Sequence, residues 1–160
     1  LVTLGAECFA YHHPDLIDRW DDFGAHTRAM IAAGALLSGG DYVQAQRVRR
    51  VGMRAMAQQF EAVDVIATPT ALCGALGYDG DQPPPLEQIF GSPCTHYWNP
   101  FGNPAIALPM GYTAAGLPLS LHLAGRPFDE ATLIAAGVAY QSSTTWHADV
   151  PPLLREGASA

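Results

Sequence analysis

The chain of 160 residues contains no lysine, and its eight basic side chains are Arg19, Arg28, Arg47, Arg49, Arg50, Arg54, Arg126 and Arg155. A mechanism that needs a lysine base, a Schiff base or a phosphate-loop lysine cannot be completed by these residues alone. Charge of either sign is scarce: 14% of residues are charged and 49% are hydrophobic, against roughly 25% charged in soluble proteins. Such a sequence packs, which argues against disorder. Fifteen acidic residues set against the eight basic ones leave a net charge of -7, without the positive footprint that binds nucleic acid or an anionic membrane surface. Cysteine is limited to Cys8, Cys73 and Cys94, an odd number without paired spacing. That fits a reducing compartment and a cytoplasmic location better than a disulfide scaffold. No run approaches the ~18 apolar residues of a membrane span. The first residue is Leu1 and not methionine, so the true amino terminus, with any signal peptide, is expected to be missing.

Apolar residues at near-helical spacing (Leu4, Cys8, Phe9, Tyr11) predict a first helix stopping around His13-Pro14, because proline disfavours helix in the residue before it. A second helical stretch is expected from Asp21 to Leu37, giving way at Ser38-Gly39-Gly40. Asp41 is expected to cap the longest periodic segment, in which Tyr42, Ala45, Val48, Gly52, Met56 and Phe60 form one face and Gln44, Arg47, Arg54 and Gln58 the other. The period then changes. Val63, Val65 and Ile66 form a short β-branched run ending at Pro69, suited to a buried strand. Residues 71–100, with Gly74, Gly77, Gly80 and Pro83-Pro84-Pro85, read as a long excursion with one helical turn at Leu86 to Phe90, and such loops commonly line sites. Ala105 to Leu108 and the alternating Pro118 to Leu123 predict an antiparallel pair, and Asp129 caps a last helix from Glu130 to Ser142. There is no internal repeat. The inventory is α/β with three strands, too few to stand alone without an unpaired apolar edge.

Chemistry-bearing clusters are few. There is neither a Gly-x-Ser-x-Gly elbow nor a Ser-x-x-Lys pattern. Ser120 and His122 lie two apart on one strand face, about 7 Å from each other by strand rise, and read as a polar face before they read as a catalytic couple. Cys8 and His12 have helical i, i+4 spacing, but no second pair stands at ligand spacing, so no metal is expected. Gly74 to Gly80 lacks the following helix of a phosphate loop. The arginines at 47, 49, 50 and 54 scatter over more than one helix face.

As a set, the residues are similar to a known family. Asn99 to Gly125 (NPFGNPAIALPMGYTAAGLPLSLHLAG) resembles the carboxy-terminal signature of the amidase signature family, through Asn99, Gly102, Pro104, Ala105, Pro109, Gly111, Gly116, Leu117 and Pro118. The family's continuation, Gly-[RK]-x-Phe-x-Glu, appears as Gly125-Arg126-Pro127-Phe128-Asp129-Glu130. Asp64 to Thr70 resembles its strand ending in Thr-Pro-Thr, and Asp41-Tyr42 with Ala45-Gln46-Arg47 the start of its long helix. The likeness runs from about Glu7 to Pro152.

The resemblance implies the carboxy-terminal part of an α/β/α sandwich with a mixed central sheet, one segment of a single domain spanning 1–160. It implies hydrolysis of carboxamide C–N bonds by a serine, a second serine in a cis peptide and a lysine, all in the family's amino-terminal two-thirds. These 160 residues would then be inactive alone and contribute walls of the substrate pocket; the alternatives are the A subunit of a glutamine-dependent amidotransferase and a non-catalytic remnant or structural fragment. The wall candidates are Thr68 and Thr70 after the first strand, and Ser92, Thr95, Tyr97 and Trp98 before the Asn99 turn. Arg28 stands where the family often places a basic residue that meets a substrate carboxylate. The expected partners are a small amide substrate and the remainder of the amidase domain, with room for homo-oligomers; no cofactor, nucleic acid or membrane is expected. Two departures bear on substrate. Ser120-Leu121-His122 replaces the common Gly-Leu-Gln, and Ser92 stands where the A subunits of glutamine-dependent amidotransferases carry an aspartate. Both favour a small or aryl amide.

Overall fold

The computed structural model describes residues 1–77, 89 and 91–151. The proline triplet at 83–85 lies outside these residues, as does all of the expected turn at 86–90 except Ile89. The chain divides into two compact units, Leu1–Ala55 and Met56–Ala160.

The first unit is helical. Helix α1 spans Val2–Asp18 and continues through Pro14, one turn beyond the expected stop. Inside a helix proline loses one N–H bond and its ring crowds the carbonyl four residues back, at a cost of about 3 kcal/mol. Here the turn beyond it is held by the buried Leu16 and closed by Arg19 N–H donating to the Asp15 carbonyl at 2.7 Å. The expected second helix is broken. A 3-10 turn at Trp20–Asp22 precedes α2 (Ala25–Ala32), and another at Ala33–Leu36 follows it. Gly34 explains the close approach of this last turn to α1, since a Cβ there would collide with the Gly5 carbonyl and lie 2.7 Å from Phe9 Cβ.

Helix α3, Gly39–Gln59, crosses the unit boundary and starts differently from expectation. Ser38, not Asp41, is the cap. Asp41 N–H donates to Ser38 Oγ at 3.1 Å, while Asp41 Oδ2 accepts from Ser38 N–H at 3.0 Å and Ser38 Oγ at 2.7 Å. This reciprocal capping box needs the acid three residues inside the helix, and the same bonds pull the Asp41 pKa down. The predicted inner face holds at Tyr42, Ala45, Gly52, Met56 and Phe60, but Val48 is 62% exposed and Arg49 takes the more sheltered position. Within the first unit α3 is tied to α1 by Tyr42 Oη donating to Glu7 Oε1 at 2.8 Å and Gln46 Nε2 donating to Thr3 Oγ1 at 3.3 Å.

The second unit is built on a three-stranded sheet in the order β1-β3-β2, with β1 at Ile66–Pro69, β2 at Ala105–Tyr112 and β3 at Pro118–Ala124. Both pairings are antiparallel, as expected for the last two strands. β1 begins three residues later than the β-branched run, because Val63 to Val65 form the turn out of α3. That turn is clasped by Arg126, which donates to Asp64 Oδ1 at 3.0 Å and to the Phe60 and Val63 carbonyls at 2.7 and 3.0 Å. A four-residue helix α4, Trp98–Phe101, precedes β2 and ends on Gly102 at φ 75, a left-handed position that suits glycine. Helix α5, Glu130–Ser143, follows β3 and lays Leu133 against Leu108 and Leu123.

Candidate functional site

The side chains of the β1–β3 seam sort by strand alternation. On one face Leu121 and Leu123 join the apolar cluster beneath α5. On the other, Thr68 stands directly opposite His122 and Ile66 opposite Ala124, and the ladder extends one residue further through Thr70 N–H donating to the Ser120 carbonyl at 2.9 Å. Thr70 Oγ1 also donates to Ser120 Oγ at 2.8 Å. A row of hydroxyl and imidazole groups thus runs along the seam. Phe60, Ala124 and Trp98 form the apolar end of this face, with Met56 and Ile66 packed against them. The Trp98 indole stacks on His122 at 6.0 Å and 26°.

The two ends of the excursion after β1 close on each other. Ala71 bridges Pro93, Leu72 N–H donates to the Ser92 carbonyl at 2.9 Å, and Cys94 N–H donates to the Thr70 carbonyl at 2.8 Å. This short antiparallel zip brings Ser92 alongside the end of β1. The Thr95 carbonyl then accepts the Trp98 N–H at 3.3 Å, and the Tyr97 ring meets Trp98 edge-on at 5.2 Å. Six of the seven expected site residues therefore belong to the second unit, on β1 or on the returning segment beside it: Thr70 and Ser92 lie past the end of β1, and Trp98 packs at its start with Ile66 and Ala124. Arg28 belongs to the first unit. Its guanidinium is engaged by Asp21 Oδ1 at 3.2 Å and the Trp20 carbonyl at 3.3 Å, and lies 5.2 Å from the Trp20 ring centre.

Three polar atoms on the seam are buried with no hydrogen-bond partner among the described residues: Thr68 Oγ1, Trp98 Nε1 and His122 Nδ1. Trp98 is 3% and His122 6% exposed. An unsatisfied buried polar group costs about 1–3 kcal/mol, so three of them on one seam require an explanation other than packing. Burial holds the His122 pKa below its ordinary value, so the imidazole is neutral at pH 7. A neutral imidazole donates at one nitrogen and accepts at the other, indole N–H only donates, and a threonine hydroxyl does both. The set is uncharged and can both donate and accept.

A Ser120–His122 nucleophilic couple does not form. Ser120 Oγ accepts from Thr70 and is itself directed at the Leu121 carbonyl at 3.5 Å. His12 Nδ1 lies 3.3 Å from Asp15 Oδ2, and no group of three or more His, Cys, Asp or Glu among the described residues could hold a metal ion. Sequence reasoning set His122 aside, although the Pro118 to Leu123 alternation already put it on one face with Ser120; that this face also carries Thr68 follows from the β1–β3 pairing. It gave no sign of the apolar cavity of about 280 Å³ in the first unit, lined in part by Leu4, Cys8, Met30, Ile31 and Leu37. No described helix is long and apolar enough to cross a membrane.

Residues 17–134 match the Amidase family. The chain belongs to the amidase family. It is 35% identical over 159 residues to an amidase of Pseudomonas putida, covering 94% of this chain and 34% of that protein. It is 42% identical over 136 residues to the A subunit of the glutamyl-tRNA(Gln) amidotransferase of Roseiflexus sp. (strain RS-1), covering 82% and 28% respectively. The chain thus spans about a third of the length of the relatives it matches. One of the solved structures that share its fold belongs to a vestigial protein complex that reveals the evolutionary origins of an s-triazine catabolic enzyme (TM-score 0.76, 23% identity, 91% of this chain and 33% of that one). Another is a bacterial aryl acylamidase of the amidase signature family (TM-score 0.71, 20% identity, 91% and 33%). The α/β architecture expected from the sequence is that of these structures.

Proposed function

We propose that residues 1–160 are the carboxy-terminal segment of a single cytoplasmic amidase domain. The whole protein hydrolyses small or aryl carboxamides, with a Ser-Ser-Lys set outside these residues. The observation that carries this reading is the uncharged donor–acceptor set at Thr68, Trp98 and His122, without partners among the described residues, in a chain of the amidase family that has no lysine of its own. Thr68, Thr70, Ser92, Thr95, Tyr97 and Trp98 form one wall of the substrate pocket, and Arg28, in the first unit, is a substrate contact in its own right. The catalytic step needs a neutral lysine, which requires burial and hydrogen bonding, and backbone donors for the oxyanion.

The experiment is a graft in which this chain replaces the matched third of the Pseudomonas putida amidase. The graft is expected to hydrolyse aryl amides, and the isolated chain is expected not to. Turnover by the isolated chain that Ser120→Ala or His122→Ala abolishes overturns the reading. A second reading, the A subunit of a glutamine-dependent amidotransferase, draws on the 42% identity to a protein of that kind. It predicts release of ammonia from glutamine, and only with partner subunits present. Ser92 in place of the aspartate weighs against it.

A further inference from the structure

The turn between β3 and α5 carries a second unexplained feature. Asp129 N–H donates to the Arg126 carbonyl at 3.1 Å, closing a four-residue turn with Pro127 second and Phe128 third. Phe128 has φ 65, the one non-glycine residue with positive φ among the described residues. This is the pattern of a type II turn, whose third position favours glycine. A bulky residue there is strained by contact of its Cβ with the backbone. The strain returns nothing locally, because the Phe128 side chain is 95% exposed. Both neighbours are fixed: Arg126 by its three bonds to Phe60, Val63 and Asp64, and Asp129 by the Thr132 hydroxyl at 2.7 Å. The ring is therefore held out on a rigid tip. Rigid, protruding aromatic side chains are the groups that anchor interfaces by filling apolar pockets, and strain kept at such a site points to function there.

We infer that Phe128 is an anchor that inserts into an apolar pocket supplied by the part of the amidase domain outside these 160 residues. The inference rests on the proposed function, in which that part exists. Its partner is named by the relatives being about three times as long as this chain, and by the place of Phe128 inside the family-matched residues 17–134. An apolar ring in a preformed pocket would offset the turn strain and the cost of the ring's exposure together.

The test compares two substitutions in two settings. In the isolated chain Phe128→Gly relieves the turn and is expected to raise the Tm by about 3 °C. Phe128→Ala keeps the left-handed strain, removes only an exposed ring, and is expected to leave the Tm unchanged. In the graft onto the Pseudomonas putida amidase both substitutions are expected to lower the Tm by about 3 °C or more, because each empties the pocket. That reversal of sign for Phe128→Gly supports the anchor. A graft untouched by Phe128→Ala overturns it, as does an isolated chain that loses several degrees with Phe128→Ala, since the ring would then pack within the chain itself. A graft that does not fold also counts against the anchor. A stable graft that cleaves no amide but loses stability with Phe128→Ala overturns the proposed activity and leaves the anchor standing.

Discussion

The two faces of the three-stranded sheet in the second unit differ in kind. Beneath α5, Leu108, Leu123 and Leu133 bury against each other with Val65, Ile106, Leu121, Ala136 and Tyr140 around them. On the opposite face the same strands present Thr68, Thr70, Ser120 and His122, with a tryptophan stacked at one end and three buried polar atoms without partners among the described residues. The first face is a packed apolar cluster; the second keeps buried polar atoms that find no partner among the described residues. Proteins concentrate such local conflicts at functional sites.

If that contrast holds, substitutions on the apolar face should cost more stability than substitutions on the polar one. The largest effect belongs to the α5 face. Leu133 is 2% exposed, and Leu133→Ala removes its methyl groups from a packed cluster, with an expected loss of about 2–5 kcal/mol in denaturant unfolding. A loss below about 1 kcal/mol would mean that this face is not the one that stabilises the unit. On the seam, Thr70→Val deletes the hydroxyl bonded to Ser120 and is expected to cost about 1 kcal/mol, the ordinary worth of one hydrogen bond.

A smaller effect is tied to pH. Burial lowers the His122 pKa below its ordinary 6.5, so the unfolded chain binds the proton more readily than the folded one. Its contribution to stability is full above about pH 6.5. It is lost as the pH falls below that value toward the folded pKa, and the Tm should decline with it. His122→Gln removes the titrating group and should flatten that part of the profile. An unchanged slope would place the acid sensitivity elsewhere.

Much of this contrast was legible in the residues. Alternation from Pro118 to Leu123 assigned Ser120 and His122 to one face, and the Thr-Pro-Thr ending of β1 put Thr68 and Thr70 where a pocket wall was expected. Bringing Ser92 to that strand end depended on the bridge between Ala71 and Pro93, a contact across twenty-one intervening positions that no local pattern encodes. Propensity also misplaced the helix ends. Proline at 14 is accommodated inside α1, with Leu16 buried in the turn after it, and the capping box at Ser38 was hidden by two glycines that look like a break. Phe128 stood out in the sequence only as part of the Gly-Arg-Pro-Phe-Asp-Glu motif; its left-handed backbone is visible only in three dimensions.

The most direct test of a seam built for substrate is Thr68→Val in the grafted enzyme. Valine keeps the shape of threonine and removes the buried hydroxyl that has no partner among the described residues. The account predicts that the unfolding midpoint is unchanged or raised, while kcat/KM for an aryl amide falls by about tenfold, equivalent to roughly 1.4 kcal/mol of transition-state binding. A lowered midpoint with kcat/KM unchanged would contradict it, because Thr68 would then be serving the fold and not the substrate.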